Sequence, residues 1–409
     1  MTSEIERVRQ WFASGRLLAP VGDVPSTVHL SRALAQLCET PKIPEDEQAA
    51  ALAAAIGPAR QLLFMLVDGL GCNLLETLPS DAFLRRHEQI ELRAVFPSTT
   101  ATSLTTLATA AWPGQHAIPG WFTHLPERGI TATILPFVER FSTRPLETLG
   151  VSVGDAFPHP SAMARYDRAV RMYHPAAIVE SVYTRYQRGE STDGRERIGV
   201  GYTTLSEAVE AVVQGVREAR APTFHYFYLP IVDGAAHRAG LADESVRTAL
   251  RATDAALAQI AAAVGADVRM VVSADHGMLD TPDERKHLLL EDDPLVEALQ
   301  APPSGEPRVP MFHVRTGARA AFLEEFRERF RENFALLTPD EVDELALFGP
   351  EPLSRVTRSR IGDFIGIAPG PDVLVYRAKR AESATTMRGF HAGLTPEEMR
   401  IPLILVGGG

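Results

Sequence analysis

The apolar run Gln61-Leu62-Leu63-Phe64-Met65-Leu66-Val67 stops abruptly at Asp68-Gly69. Apart from its first residue the run has no polar member, so it suits a strand covered on both faces rather than one with a wet side. Asp-Gly at its end suits a sharp turn. Runs of similar character recur at Thr131 to Leu135, Thr223 to Leu229, Val268 to Ser273 and Leu403 to Val406. Helical patterns lie between them. Glu45 to Ala55 is alanine-rich and acidic at its start, with Pro41 and Pro44 before it and Gly57-Pro58 after it. Leu205, Val209, Val212, Val213 and Val216 recur at helical spacing behind a Thr204–Glu207 capping box. Ser245 to Val264 carries Leu250, Leu257 and Ile260 as a stripe for burial. Strands alternating with helices predict an α/β fold, a mainly parallel central sheet with helices on both faces.

Residues 286–360 break this rhythm, with Glu291-Asp292-Asp293-Pro294, Pro302-Pro303 and Arg327 to Glu332 rich in charge and proline. They read as an inserted cap holding a strand near Arg308 to Val314 and an amphipathic helix over Ala318 to Asn333. The chain is expected to return to the core near Asp363 to Ile367. The expected division is an N-terminal extension over 1–55 packed on the core, a core over 56–285 and 361–409, and the cap over 286–360.

The 409 residues are 45% hydrophobic and carry a net charge of −11, enough apolar material for a large core. An acidic surface argues against a nucleic-acid polymer as partner, since such binding relies on clustered Lys and Arg. Two cysteines, Cys38 and Cys72, exclude a disulfide framework and a cysteine zinc site, leave one bridge between them open, and suit a reducing compartment. The N-terminal residues lack the basic and apolar regions of a secretory signal, and no apolar stretch is long enough to span a bilayer. The expectation is a soluble, cytoplasmic protein acting on a small molecule.

Open α/β sheets bind ligands beyond the carboxyl ends of their strands. Asp68, Asp233 and Asp275 fall there, each just past a predicted strand. Four-residue spacing lets Asp233 and His237 converge if the segment turns helically. Asp275-His276 is an adjacent pair, and Gly277 permits the close turn that lets both face one site. Carboxylates mixed with imidazoles suit Zn²⁺, Mn²⁺ or Fe better than Mg²⁺ or Ca²⁺. The stretch Ser98 to Thr106 is dense in hydroxyls. A threonine hydroxyl is a poor nucleophile at neutral pH without a base or a cation, and no histidine lies near it in sequence, which favours a cation. At a helix start it would stand beside free backbone N–H groups able to bind a phosphoryl oxygen. Singly, each element reads as readily as a turn aspartate, a helix cap or a solvated imidazole. Three at the ends of predicted parallel strands are harder to assign to turns.

Five blocks in fixed order resemble the alkaline phosphatase superfamily, in its type I phosphodiesterase/nucleotide pyrophosphatase branch. They are Leu66 to Leu70, Phe96 to Thr100 followed by Pro113-Gly114-Gln115-His116, Asp233 to His237, Ser273 to Met278, and Gly389 to Gly393 followed by Pro396 to Leu403. The resemblance spans roughly residues 60–280 and 385–409. It implies two divalent metal ions, commonly zinc. Asp233, His237 and His391 would hold one, and Asp68, Asp275 and His276 the other, with Thr100 ligating it as nucleophile. Thr100 is preferred to Thr99 because the family's nucleophile stands three residues after the proline. His391 is preferred to His287 and His313 by its glycine-flanked context. The implied activity is that of a phosphodiesterase or nucleotide pyrophosphatase hydrolysing a small phosphorylated substrate through a phospho-threonine. Family diesterases often carry an asparagine three residues after the nucleophile, where this chain has Ser103. Trp121 and Phe122, with Phe137, are candidates for the leaving-group pocket. A phosphomonoesterase, phosphonate hydrolase or phosphomutase would use the same ions. A sulfatase would need a Cys/Ser-x-Pro-x-Arg context absent at Thr100. The non-enzyme alternative is a silent metal-binding protein.

Overall fold

In the computed structural model, seven strands form the central sheet in the order Glu88–Arg93, Arg400–Val406, Val268–Ser273, Gln61–Val67, Thr223–Leu229, Ala169–Pro175 and Arg197–Tyr202. Only Arg400–Val406 runs against its neighbours. The described residues are 3–190, 194–265, 267–378 and 386–407. Met1, Thr2, Gly408 and Gly409, the outermost residues of the expected extension and core, lie outside them. Gln61–Val67 is buried along its whole length, as is Thr223–Leu229, which is why neither alternates in sequence. The register sets Val67 beside Leu229 and Leu66 beside Ser273. Three strands therefore end at almost one level, and the residues that follow them share one edge of the sheet.

The helices expected after Thr204 and over Ser245 to Val264 form over Leu205–Glu218 and Glu244–Ala263. A third, Thr27–Leu37, was not foreseen. Its capping residue three positions in is His29, whose Nδ1 accepts from Ser26 N at 2.8 Å, in place of the usual Glu or Gln. It braces the Thr100–Thr109 helix through Ser31 Oγ on Leu107 O at 2.9 Å and Arg32 Nε on Ala110 O at 3.2 Å.

The run at Thr131 does not join the central sheet. Ile130–Thr133 pairs antiparallel with Phe122–Leu125 across a tight connection in which Gly129 takes φ +62°. Four connecting residues are too few for the crossover a parallel neighbour needs. These strands belong to a second seven-stranded sheet, ordered Ala335–Leu337, Phe364–Ile367, Val309–Phe312, Ser304–Glu306, Phe122–Leu125, Ile130–Thr133 and Val138–Glu139. Segment 286–360 thus builds three of its strands into a sheet shared with residues 122–139 and 364–367, while Lys286–Leu290 pairs in parallel with Val373–Arg377 in a sheet of their own. The Phe364–Ile367 strand, expected at the return to the core, pairs here instead, and the chain re-enters the central sheet only at Arg400–Val406. The Arg319–Phe330 helix covers this sheet with Phe322, Phe326 and Phe330, one stripe at helical spacing, packed with Phe312 and Phe364. Cys38 and Cys72 are unpaired thiols. Among the described residues, no helix is long and apolar enough to cross a membrane.

Candidate active site

The edge formed by the three strand ends gathers Asp68, Asp233, His237, Asp275, His276 and His391. Asp68 follows Gln61–Val67 directly, and Gly69 turns the chain with φ +74°. A Cβ on Gly69 would lie 3.1 Å from Asp233 Cβ and 3.1 Å from Met278 Sδ, so the close approach of the two aspartates needs glycine. Asp233 and His237 lie on the helix Ile231–Ala239, with Asp233 Oδ1 3.2 Å from His237 Nε2. His276 Nε2 is 3.4 Å from Asp68 Oδ1 and 3.4 Å from Asp275 Oδ2. His391 Nε2 is 3.9 Å from Asp233 Oδ1, and the His391 ring stacks on His276 at 3.7 Å between centroids.

Each imidazole is held by its other nitrogen. Nδ1 of His237 donates to Gly389 O at 2.8 Å, that of His276 to Gly277 O at 3.0 Å, and that of His391 to Ser98 O at 3.2 Å. In the neutral ring this leaves each Nε2 as the acceptor nitrogen, facing inward, the arrangement that suits a metal ligand. The carboxylates are satisfied on one side only. Asp68 Oδ2 accepts from the Tyr228 hydroxyl, and Asp275 Oδ1 accepts from the amides of Gly69 and His276 at 3.0 Å each. Asp68 Oδ1, Asp233 Oδ1 and Asp275 Oδ2 are buried without a hydrogen-bond partner. Buried polar atoms are rarely left so, and among the described residues the orphaned carboxylate oxygens all belong to this one cluster. Ligand atoms of Asp233, His237 and His391 lie within 4.8 Å of one another, and so do those of Asp68, Asp233 and His276. Asp233 stands in both groups.

The electrostatics point the same way. Burial first, then the charges of Asp275 and Asp233, push the Asp68 carboxyl well above the usual range. Burial opposes ionisation of Asp233, but the imidazolium form of His237, 3.2 Å away, outweighs it and the net shift is downward. His391 is pushed well below the usual imidazole value by burial and then by His276 and His237. Carboxylates packed this closely repel one another unless positive charge is added. The donor set, its orphaned oxygens and its tethered imidazoles fit divalent cations.

Thr100 opens the helix Thr100–Thr109, and its Oγ1 lies 3.2 Å from His276 Nε2. Thr99 faces elsewhere, its hydroxyl donating to Glu306 Oε1 at 2.7 Å. A cavity of about 430 Å³ adjoins Thr100, Asp233, His237 and His391, and its far wall includes Trp121, Phe122, Arg140, Glu306 and Phe390. Trp121 and Phe122 line this cavity. Ser103 does not: it is fully buried and its hydroxyl donates to Asp275 O at 2.8 Å. Phe137 is a core residue stacked on Phe157 at 6.1 Å.

Several contributors carried no signal in the sequence. Tyr228 sits in a buried strand and reads as core. Glu306 lies in a segment without motif, yet it is buried against Thr99 and the Trp121 amide. Arg308 and Glu398 are both fully buried and paired at 2.5 and 2.9 Å. Glu398 also accepts from Gly393 N at 2.7 Å, which fixes the turn that follows His391. The Pro396 to Leu403 block thus holds the turn that carries His391. A Cβ on Gly277 would lie 2.0 Å from Glu397 O, so this block also closes on the Asp275-His276 turn.

Residues 62–393 match the type I phosphodiesterase/nucleotide pyrophosphatase family. Curated proteins yield no match. Among solved structures, murine ectonucleotide pyrophosphatase/phosphodiesterase 5 aligns with a TM-score of 0.63 at 14% identity, over 85% of this chain and 88% of that one. An inactive threonine-to-alanine variant of the murine protein, in complex with AMP, aligns with a TM-score of 0.62 at 15% identity, over 85% and 87%. Phosphonoacetate hydrolase from Sinorhizobium meliloti 1021, in complex with phosphonoformate, aligns with a TM-score of 0.60 at 16% identity, over 86% and 91%.

Proposed function

The chain belongs to the type I phosphodiesterase/nucleotide pyrophosphatase family and is a phosphoric ester hydrolase, and from that premise we propose a metal-dependent phosphodiesterase that uses Thr100 as its nucleophile. The observation that carries this reading is the cluster of three orphaned carboxylate oxygens facing three tethered imidazoles, with the Thr100 hydroxyl at its rim. Asp233, His237 and His391 would hold one divalent cation, and Asp68, Asp275 and His276, with Thr100, the other. Zinc suits this mixture best, and Mn or Fe are the alternatives. Bound there, the cations would supply the positive charge that lowers the proton affinity of a hydroxyl and offsets charge on phosphoryl oxygens.

The chain's own residues do the rest. Tyr228 holds Asp68 in one orientation, and the carbonyls of Gly389, Gly277 and Ser98 hold the imidazoles. Thr100 Oγ attacks phosphorus in line as the bond to the leaving oxygen breaks, giving a phospho-threonine that water later hydrolyses. No side chain caps the Thr100–Thr109 helix, so its first amides can receive a phosphoryl oxygen. The leaving group occupies the cavity walled by Trp121, Phe122 and Phe390. Its size suits a small ester such as a nucleotide.

Phosphonate hydrolysis is the second reading. Ser103 donates its hydroxyl to the Asp275 carbonyl, so it does not replace the amide that family diesterases often place there. Rates on bis(4-nitrophenyl) phosphate, 4-nitrophenyl phosphate and phosphonoacetate separate the readings, and the bis-ester is expected to be fastest. Acid-quenched turnover should leave a phosphoryl adduct on Thr100 by mass spectrometry. A fully metal-loaded Thr100→Ala protein that hydrolyses the bis-ester at the parent rate would overturn the proposal.

A further inference from the structure

Thr99 occupies the N-cap position of the Thr100–Thr109 helix in extended conformation, φ −135° and ψ 151°. A threonine there normally accepts from an amide of the first turn. Thr204 and Thr338, at the same position of their helices, accept from the amides of Glu207 and Glu341. Thr99 does not. Its hydroxyl is turned away and donates to Glu306 Oε1 at 2.7 Å, and the same oxygen accepts from Trp121 N at 2.6 Å. Glu306 comes from the far sheet, on the short strand Ser304–Glu306, and is 8% exposed. It is held there by its neighbour two residues on, since Arg308 is locked to Glu398 and to the carbonyls of Gly370 and Asp372 at 2.7 and 3.1 Å.

The competition is between two orientations of one side chain, the hydroxyl donating to Glu306 or turned to accept from a first-turn amide. If the Thr99 hydroxyl swung onto the first turn, it would fill the amides beside Thr100 with an internal partner. An incoming phosphoryl oxygen would then have to displace that partner, and the electrostatic gain at the helix start would be lost from the transition state. Burial pushes the Glu306 carboxyl up to about 7, but in either protonation state its Oε1 stays an acceptor, anchored by the Trp121 amide and placed to take the Thr99 hydroxyl.

We propose that Glu306 is a positioning residue that draws the Thr99 hydroxyl off the helix start and so keeps the amides beside Thr100 open to the phosphoryl group. This deepens the reading of Thr100 as nucleophile and rests on it. Glu306 touches neither the phosphorus nor a cation; it acts through Thr99.

The test compares four variants of the full chain, each loaded with zinc, on bis(4-nitrophenyl) phosphate, with inorganic phosphate as competitive inhibitor and zinc content measured in parallel. Glu306→Leu frees Thr99 to cap the helix. It should lower kcat about 10²-fold, the usual cost of losing one preorganised donor. It should weaken inhibition by phosphate while zinc content stays at the parent level. Thr99→Val in the Glu306→Leu background removes the competing hydroxyl and should recover most of the lost kcat and phosphate affinity. Glu306→Gln keeps an acceptor oxygen and should stay close to the parent. Thr99→Asn, with Glu306 intact, supplies a stronger capping side chain. It should leave melting temperature equal or raised while lowering kcat, and it keeps the inference testable if Glu306→Leu does not fold. A Glu306→Leu enzyme as fast as the parent overturns the inference, and so does a double variant no faster than Glu306→Leu. Without folded Glu306→Leu protein, parent-like kcat in Thr99→Asn overturns it. An inert parent protein overturns the proposed function itself, and this inference with it.

Discussion

Two sets of buried histidines meet different fates in this molecule. His116 and His225 lie in the interior with both ring nitrogens partnered. His116 meets Thr106 Oγ1 at 3.0 Å and the Ile118 amide at 3.2 Å, and His225 meets the Tyr173 hydroxyl at 3.0 Å and Gln61 Oε1 at 2.9 Å. Burial pushes each down to about 3, so both are neutral parts of the core. His237, His276 and His391 are tethered through one nitrogen and turn the other toward carboxylate oxygens that have no partner. Burial alone does not separate the two sets, since His276 is as fully buried as His116 and His225. The difference is whether the ring's hydrogen-bonding capacity closes within the protein or stops at a cluster of unmet acceptors.

The contrast is sharpest when one member of each set is removed. His391→Ala should lower turnover on the order of 10³-fold or more and release one cation per chain, as expected for lost machinery that acts as a unit. His225→Gln should retain both cations and near-parent turnover, measured by elemental analysis and initial rates. Chelation acts on one set only. Stripping the cations should lower stability by about 2.7 kcal/mol for each site that had been filled at a hundredfold excess over its Kd, read as a fall in melting temperature that zinc restores. The same treatment should leave no further effect on His225→Gln beyond that seen in the parent. In urea unfolding, His225→Gln should itself cost about 1–3 kcal/mol, because Tyr173 and Gln61 lose a well-placed partner.

The smallest effect is in pH. The interior rings have native values near 3 and ordinary values in the unfolded chain, about 6.5. The unfolded state therefore binds more protons between those limits. Their contribution is fully present above pH 6.5 and is lost as pH falls toward 3, by about 1.4 kcal/mol per pH unit for each ring. In metal-free protein, His225→Gln should reduce the slope of unfolding free energy between pH 6 and pH 4 by one such share. An unchanged slope would mean that His225 is already charged in the native protein.

Much of the central sheet was legible because its strands are long and buried throughout. Thr223–Leu229 and Val268–Ser273 begin and end where the apolar runs do. Asp68, Asp233 and Asp275 were visible because strand ends are local signals, and the Asp233–His237 and Asp275–His276 pairs because their spacing is local too. His391 and Thr100 needed the motif blocks, since nothing near them in sequence shows what they face. The second sheet was legible only in pieces, as the strand-like runs at Thr131 to Leu135 and Arg308 to Val314, and not as a sheet. Its strands are two to four residues long, too short for a period-two pattern, and Phe122 pairs with Gly305 across a long stretch of chain. Tyr228 and Glu306 were hidden for the same reason, because their hydroxyl and carboxylate act on residues far away in sequence. Ser103 misled because a hydroxyl beside a nucleophile in sequence can point into the cavity or behind it, and the helical turn decides which.

The direct measurement is the number of divalent cations retained per chain by purified, extensively dialysed protein, with the parent compared against Asp233→Ala. Asp233 is shared by both ligand groups. The account predicts close to two cations in the parent and a loss in Asp233→Ala that tracks the loss of phosphodiester hydrolysis. A parent protein that is folded, hydrolyses the bis-ester and holds no divalent cation would contradict it.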